Sequence, residues 1–178
     1  MLSKLTTAAL LVAAASAQTF QRLGTCPTLG CVLPPDQSEF LPGQYFDLRV
    51  EVHAPTNGSE KFANGVPDEK FTVTIAKVGG ASAANLSSFF KIDEPKLEKW
   101  TFGWYEDLFA QDAKNKSIVN VASKIYRRIA LYEPGQYKVT LSYFGNQTTV
   151  ANWTVRSLAT TKKAKNIIFF IGELLLLL

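Results

Sequence analysis

The chain has 178 residues, 47% of them hydrophobic and 12% aromatic, with a formal net charge of +4, two cysteines and one histidine. So small and scattered a charge does not imply a nucleic-acid-binding surface, and two Cys with one His argue against a zinc site. The length suits one domain with a single sizeable core.

Residues 1–17 read as a secretory signal peptide. Lys4 lies in a short n-region, Ala8 to Ala15 forms the apolar stretch, and Ala15-Ser16-Ala17 is a small-x-small cleavage site. The stretch is well short of the roughly 20 residues a membrane-crossing helix needs, so no transmembrane span is expected. Mature protein is expected from about Gln18, and losing Lys4 leaves 18 basic against 15 acidic residues.

Five of the eight asparagines begin an Asn-x-Ser/Thr sequon: Asn57, Asn85, Asn115, Asn146 and Asn152. That enrichment argues for a secreted or cell-surface glycoprotein whose sequon-bearing loops face solvent. Cys26 and Cys31 flank Pro27 and Gly30, so a tight turn brings them together. In an oxidising compartment they close a small disulfide loop, worth ~2 kcal/mol by chain entropy. Free thiols or a metal pair are the alternatives.

Residues 18–157 carry a strand pattern. From Tyr45 to His53 the chain alternates strictly, with Phe46, Leu48, Val50 and Val52 on one face and Asp47, Arg49, Glu51 and His53 on the other. Phe71, Val73 and Ile75 repeat the period, as do Tyr137, Val139, Leu141 and Tyr143. Phe144-Gly145-Asn146-Gln147 forms a turn into a last strand that carries Val150, Asn152-Trp153-Thr154 and Val155. Pro42-Gly43 and Pro134-Gly135 each precede Gln-Tyr, and both read as type II turns that launch a strand. One wet and one buried face per strand predict an all-β, antiparallel sandwich of immunoglobulin or fibronectin type.

Two stretches are less regular. Ile118 to Tyr132 is strand-prone, and its Arg127-Arg128 pair reads as a solvated face, with phosphate binding as the functional alternative. From Trp100 to Phe109, Trp104 with Leu108 and Tyr105 with Phe109 share a helical spacing, which predicts a short helix capping the sandwich. Core packing is the favoured role of these aromatics, against a platform for sugar or for a catalytic domain.

No constellation for catalysis is legible. His53 lies on the polar face of its strand with no Ser or Cys motif to serve, and Asp93-Glu94 and Glu106-Asp107 read as surface pairs. No phosphate-cradling glycine loop is present.

Residues 158–165 form a basic linker containing Lys162, Lys163 and Lys165. The last segment, 166–178, follows: Asn166-Ile167-Ile168-Phe169-Phe170-Ile171-Gly172, then Glu173 and five leucines. A polar start, a short apolar run and a closing glycine describe a buried parallel strand that delivers a loop to a site past its carboxyl end. Together with Lys165, this run resembles the first core strand of the alkaline phosphatase superfamily, whose members read Lys-Asn-(Val/Ile)-Ile-Phe-Phe-(Leu/Ile)-Gly followed by Asp-Gly-Met.

The resemblance implies an α/β catalytic domain of which this chain holds a fragment. In a full-length member zinc and magnesium would serve a Ser nucleophile in phosphoric-ester hydrolysis. The family Asp, a metal ligand, corresponds here to Glu173, whose extra methylene moves the carboxylate by about one bond length. With the nucleophile and remaining ligands absent, the chain is expected to need no cofactor of its own and to be inactive alone. The expected partners are the missing catalytic domain or cell-surface glycans.

The competing reading is a cell-surface binding or structural β-sandwich with a lipid anchor. Ser157 or Ala159 would be the attachment residue, Thr160 to Asn166 the spacer and Ile167 to Leu178 the removed tail. A carbohydrate-binding module is a third reading.

Overall fold

The computed structural model describes residues 29–57, 61–105 and 116–161. Nine strands make two sheets: β1 Gly30–Leu33, β2 Glu39–Phe40, β3 Tyr45–Pro55, β4 Thr72–Lys77, β5 Ala84–Asn85, β6 Glu98–Tyr105, β7 Lys116–Ala130, β8 Gly135–Tyr143 and β9 Gln147–Val155. A single-turn helix, α1, spans Leu86–Phe90. One sheet has the order β1-β3-β7-β6, and the other β2-β9-β8-β4-β5. All pairings are antiparallel except the two-residue contact of β2 with β9.

The alternating residues do what their period dictates on the inner faces. Leu48, Val50 and Val52 of β3 meet Val73 and Ile75 of β4, Val139 and Leu141 of β8, and Trp153 of β9 in one buried cluster. Trp153 is fully buried, its ring edge-on to Phe40 and Phe46 at 5.5 Å each. Its indole N–H, which burial would otherwise orphan, donates to the Pro35 carbonyl at 3.1 Å. Tyr143 reaches Thr149 at 3.2 Å, and Thr149 donates to the Gly30 carbonyl at 2.9 Å, so a buried polar chain joins the sheets where β1 has no side chain to interfere.

Several expectations change in detail. In β9 the inward residues are Thr149, Ala151, Trp153 and Val155, while Val150 shares the outer face with Asn152. Five positions separate Val150 from Val155, and an odd spacing puts them on opposite faces. The stretch from Trp100 to Tyr105 is strand β6, with no helical turn; Glu106 to Phe109 lie outside the described residues. Pairing of eight residues with β7 overrides the helical spacing of a few aromatics. The two Pro-Gly turns also differ. Gly43 has φ +76 and Gln44 N–H closes onto the Leu41 carbonyl at 3.0 Å, a type II arrangement. Gly135 has φ +143 and already pairs with Val155 as the first residue of β8.

β3 and β7 slip register between Phe46 and Leu48, where Asp47 faces both Arg127 and Arg128. Arg128 takes φ +50, and its N–H donates to Asp47 Oδ1 at 2.7 Å. Such a bulge turns consecutive side chains outward together, which is why Arg127 and Arg128 are both exposed.

Candidate functional site

On the outer face of the β1-β3-β7-β6 sheet the alternation rule fails. Glu51 and His53, read as wet, are both 0% exposed. Cross-strand neighbours explain the reversal: Val121 stands opposite His53, Ser123 opposite Glu51, and Trp100 opposite Val121. Val119, Val121, Trp100, Phe102 and Leu29 form a second apolar cluster there, and the His53 ring meets Phe102 edge-on at 5.6 Å. His53 Nε2 donates to Glu51 Oε2 at 2.9 Å, and Cys31 Sγ lies 3.7 Å from the same nitrogen.

Ligand-type atoms of Cys31, Glu51 and His53 all fall within 4.8 Å of one another, the one such grouping among the described residues. It does not fit the zinc or magnesium that the phosphatase resemblance implies. A hydrolytic metal keeps a position open to water and substrate, whereas these three side chains are wholly buried. Cys31 also offers no thiolate, since no described cysteine is free. The cluster is a packed polar core feature.

A second polar cluster closes one edge of the sandwich. Glu94, on the loop after α1, accepts Lys124 Nζ at 2.6 Å and the Tyr126 hydroxyl at 3.2 Å, both from β7, and the Ser87 hydroxyl from α1. Partial burial works against the Glu94 carboxylate, but the Lys124 ammonium and the two hydroxyls outweigh it and hold its pKa below the usual value. Burial, then the charge of Glu94, pushes the Tyr126 phenol up, so Tyr126 remains a donor. Asp93-Glu94 read as a surface pair because its partners lie 7 to 32 positions away in the chain.

The two ends of the sandwich differ. At one end β9 finishes at Val155 opposite Gly135, and the chain leaves with Arg156 donating its N–H to the Phe40 carbonyl and its guanidinium to Glu39. The same end carries a groove of about 610 Å³ between α1 and the β7–β8 connection, lined by Phe89, Phe90, Tyr132 and Tyr137. Lys77 and Glu133 pair across it at 2.8 Å; that bond raises the Lys77 pKa and lowers that of Glu133. Tyr132 is 67% exposed, and Arg128 lies over the exposed Tyr45 ring nearby.

The opposite end holds the β8–β9 turn and the β3–β7 strand ends, where Phe62 meets Phe144 at 5.0 Å. Asn57 and Asn146 are exposed there, and Asn57 Oδ1 accepts the Ile118 N–H at 2.8 Å. Asn85 and Asn152 are exposed along the strands, with Asn152 Nδ2 donating to Asp36 at 3.1 Å. A glycan joins Asn through Nδ2 and leaves Oδ1 in place, so the Asn57 bond is compatible with modification. Asn115, Cys26 and Glu173 lie outside the described residues.

Among the described residues, no helix is long and apolar enough to cross a membrane. A family model described as the PhoA-like N-terminal domain matches residues 29–156, a span that opens one residue before β1 and closes one residue after β9. No curated protein matches the chain.

Proposed function

Because the chain belongs to the PhoA-like N-terminal domain family, we propose that it is the secreted, N-glycosylated accessory module of an alkaline-phosphatase-like phosphoric-ester hydrolase. The observation that carries this reading is the coincidence of the family match with the sandwich, followed within ten residues by the Lys165–Gly172 run. In this reading residues 1–17 are removed, Cys26 pairs with Cys31, and the five sequons receive glycans, those at Asn57, Asn85, Asn146 and Asn152 on surfaces the fold leaves exposed. Residues 158–165 link the module to the catalytic domain, whose first strand begins at Asn166. Zinc and magnesium belong to that domain, with the Glu173 position taking the place of the family Asp. The module itself hydrolyses nothing and positions or protects its catalytic partner.

Purified secreted protein tests this directly. It should begin near Gln18, lose mass on enzymatic removal of N-glycans, contain no alkylatable thiol, and show no metal-dependent hydrolysis of an aryl phosphate above buffer. A cytosolic, unmodified chain would overturn the secretory part, and zinc-dependent turnover the accessory part. The apolar leucines after Glu173 also suit a lipid-anchor signal. A mature C-terminus cut near Ser157 or Ala159 would favour a cell-surface module over the phosphatase reading.

A further inference from the structure

The groove between α1 and the β7–β8 connection has no part in the accessory role proposed above, yet its walls are braced from several elements. Four of its lining residues are aromatic: Phe89, Phe90, Tyr132 and Tyr137. Phe89 meets Phe90 edge-on at 4.9 Å and Tyr137 edge-on at 6.3 Å, so these three rings fix one another's orientation. The buried Tyr137 donates its hydroxyl to the Glu133 carbonyl at 2.9 Å, which ties this wall to the connection that carries the largely exposed Tyr132. At about 610 Å³ the groove has the size of a small-molecule site, roughly 300–1,000 Å³, and the usual mixture of apolar walls with a few charged groups.

The charged groups select the kind of ligand. The Lys77 stem runs past Gly135, where a Cβ would meet its Cε at 2.9 Å, and its ammonium is held by Glu133 at 2.8 Å. An ammonium has three N–H donors, and Glu133 takes one of them. The Glu133 side chain is 76% exposed against 32% for Lys77, so the carboxylate is the more freely solvated member of the pair. Lys91, also in the lining, ends α1 with its backbone N–H fixed to the Ser87 carbonyl, and it brings a second ammonium. Two cations against one carboxylate leave the groove with an excess positive charge. A neutral ligand would use the rings and leave that charge unmet, and a cationic one would be repelled.

We propose that the groove binds a small organic anion built on a flat apolar ring, of the aryl carboxylate or aryl phosphonate kind. The ring of the ligand packs on Phe89 and Tyr132, and its acidic group takes donors from Lys77 and Lys91. A ligand of about ten heavy atoms in an open groove should bind with a Kd on the order of 0.1–1 mM.

The probe is 8-anilinonaphthalene-1-sulfonate, itself an aryl anion, whose fluorescence is followed on the full secreted chain. It should saturate a site that phenylphosphonate empties, with benzyl alcohol, methyl glucoside and inorganic phosphate each at least tenfold poorer competitors. Tyr132→Ala and Lys91→Ala alter exposed side chains, and each should weaken phenylphosphonate at least fivefold while Lys91→Arg restores most of the affinity. Val66→Ala, beside Phe144 and Gly145 at the opposite end, should bind as the parent does. For the parent alone, raising salt from 0.05 to 0.5 M should weaken phenylphosphonate at least threefold, since the contact is between partly exposed charges. A site emptied equally well by benzyl alcohol or methyl glucoside, affinity unchanged in both groove variants, or affinity indifferent to salt would each overturn the proposal.

Discussion

The Glu94 carboxylate receives the Lys124 ammonium at 2.6 Å, joining the loop after α1 to the middle of β7 across the open edge of the sandwich. Its lowered pKa gives the pair a pH signature. A carboxylate whose folded pKa is depressed contributes stability above its unfolded pKa, and that contribution is lost as pH falls through the folded value. Glu94 is half exposed, so the loss should be no more than about 1 kcal/mol. Urea midpoints measured from pH 7 to pH 3 should fall less steeply for Glu94→Gln than for the parent. Parallel curves would show that the pair carries no linkage.

Gly30 should tolerate no side chain. A Cβ there would meet the Tyr143 ring at 2.3 Å and Thr149 Oγ1 at 2.9 Å, and Tyr143 is itself buried within the hydrogen-bonded chain that joins the sheets. Gly30→Ala is expected to cost about 1–3 kcal/mol, the usual range for overpacking. A melting temperature within 1 °C of the parent, at about 2–4 °C per kcal/mol, would contradict this.

His53 and Glu51 are a buried pair at 2.9 Å, and Arg49 stands 3.7 Å from the other Glu51 oxygen. His53→Ala would leave a carboxylate without its nearest donor beneath Phe102, a loss of about 3 kcal/mol. The double variant His53→Ala with Glu51→Leu should recover part of that loss, because an apolar pair of suitable volume avoids burying a charge. Chemical denaturation of the parent, both single variants and the double variant decides the point: additive losses would mean that the pair is not coupled.

The bulge at Asp47 yields a milder prediction. Asp47→Ala removes the acceptor of the Arg128 N–H, which sits at a residue with positive φ. The exposed amide can turn to water, so the expected cost is about 1 kcal/mol, measurable as a shift in denaturant midpoint. Arg128→Gly should offset some of it by relieving the left-handed backbone. A further loss on adding Arg128→Gly would show that the Arg128 contact with Tyr45 outweighs the strain.

Strand β4, strand β8 and the inner face of β3 could be read from period-two alternation, because a single strand's own side chains define which of its faces is apolar. The outer face of β3 could not be read that way. Whether Glu51 and His53 meet water depends on Val121, Trp100 and Phe102, and those residues become their neighbours only through pairing with β7 and β6. The same limit hid the Glu94 cluster, whose members come from α1, its following loop and β7. It also hid the bulge, since nothing in Arg127-Arg128 signals that Asp47 will face both.

By itself the amino-acid order determined the all-β class, the composition of the main core and the resemblance of the Lys165–Gly172 run to a phosphatase strand, because periodicity and short motifs are local properties of a chain. Tertiary structure alone decided that the lone histidine is buried beside Glu51, that no solvent-open metal site forms among the described residues, and that the exposed aromatics collect where the chain leaves the sandwich. Those outcomes depend on register and on the stacking of two sheets, which bring together residues as far as 119 positions apart and which no local pattern encodes.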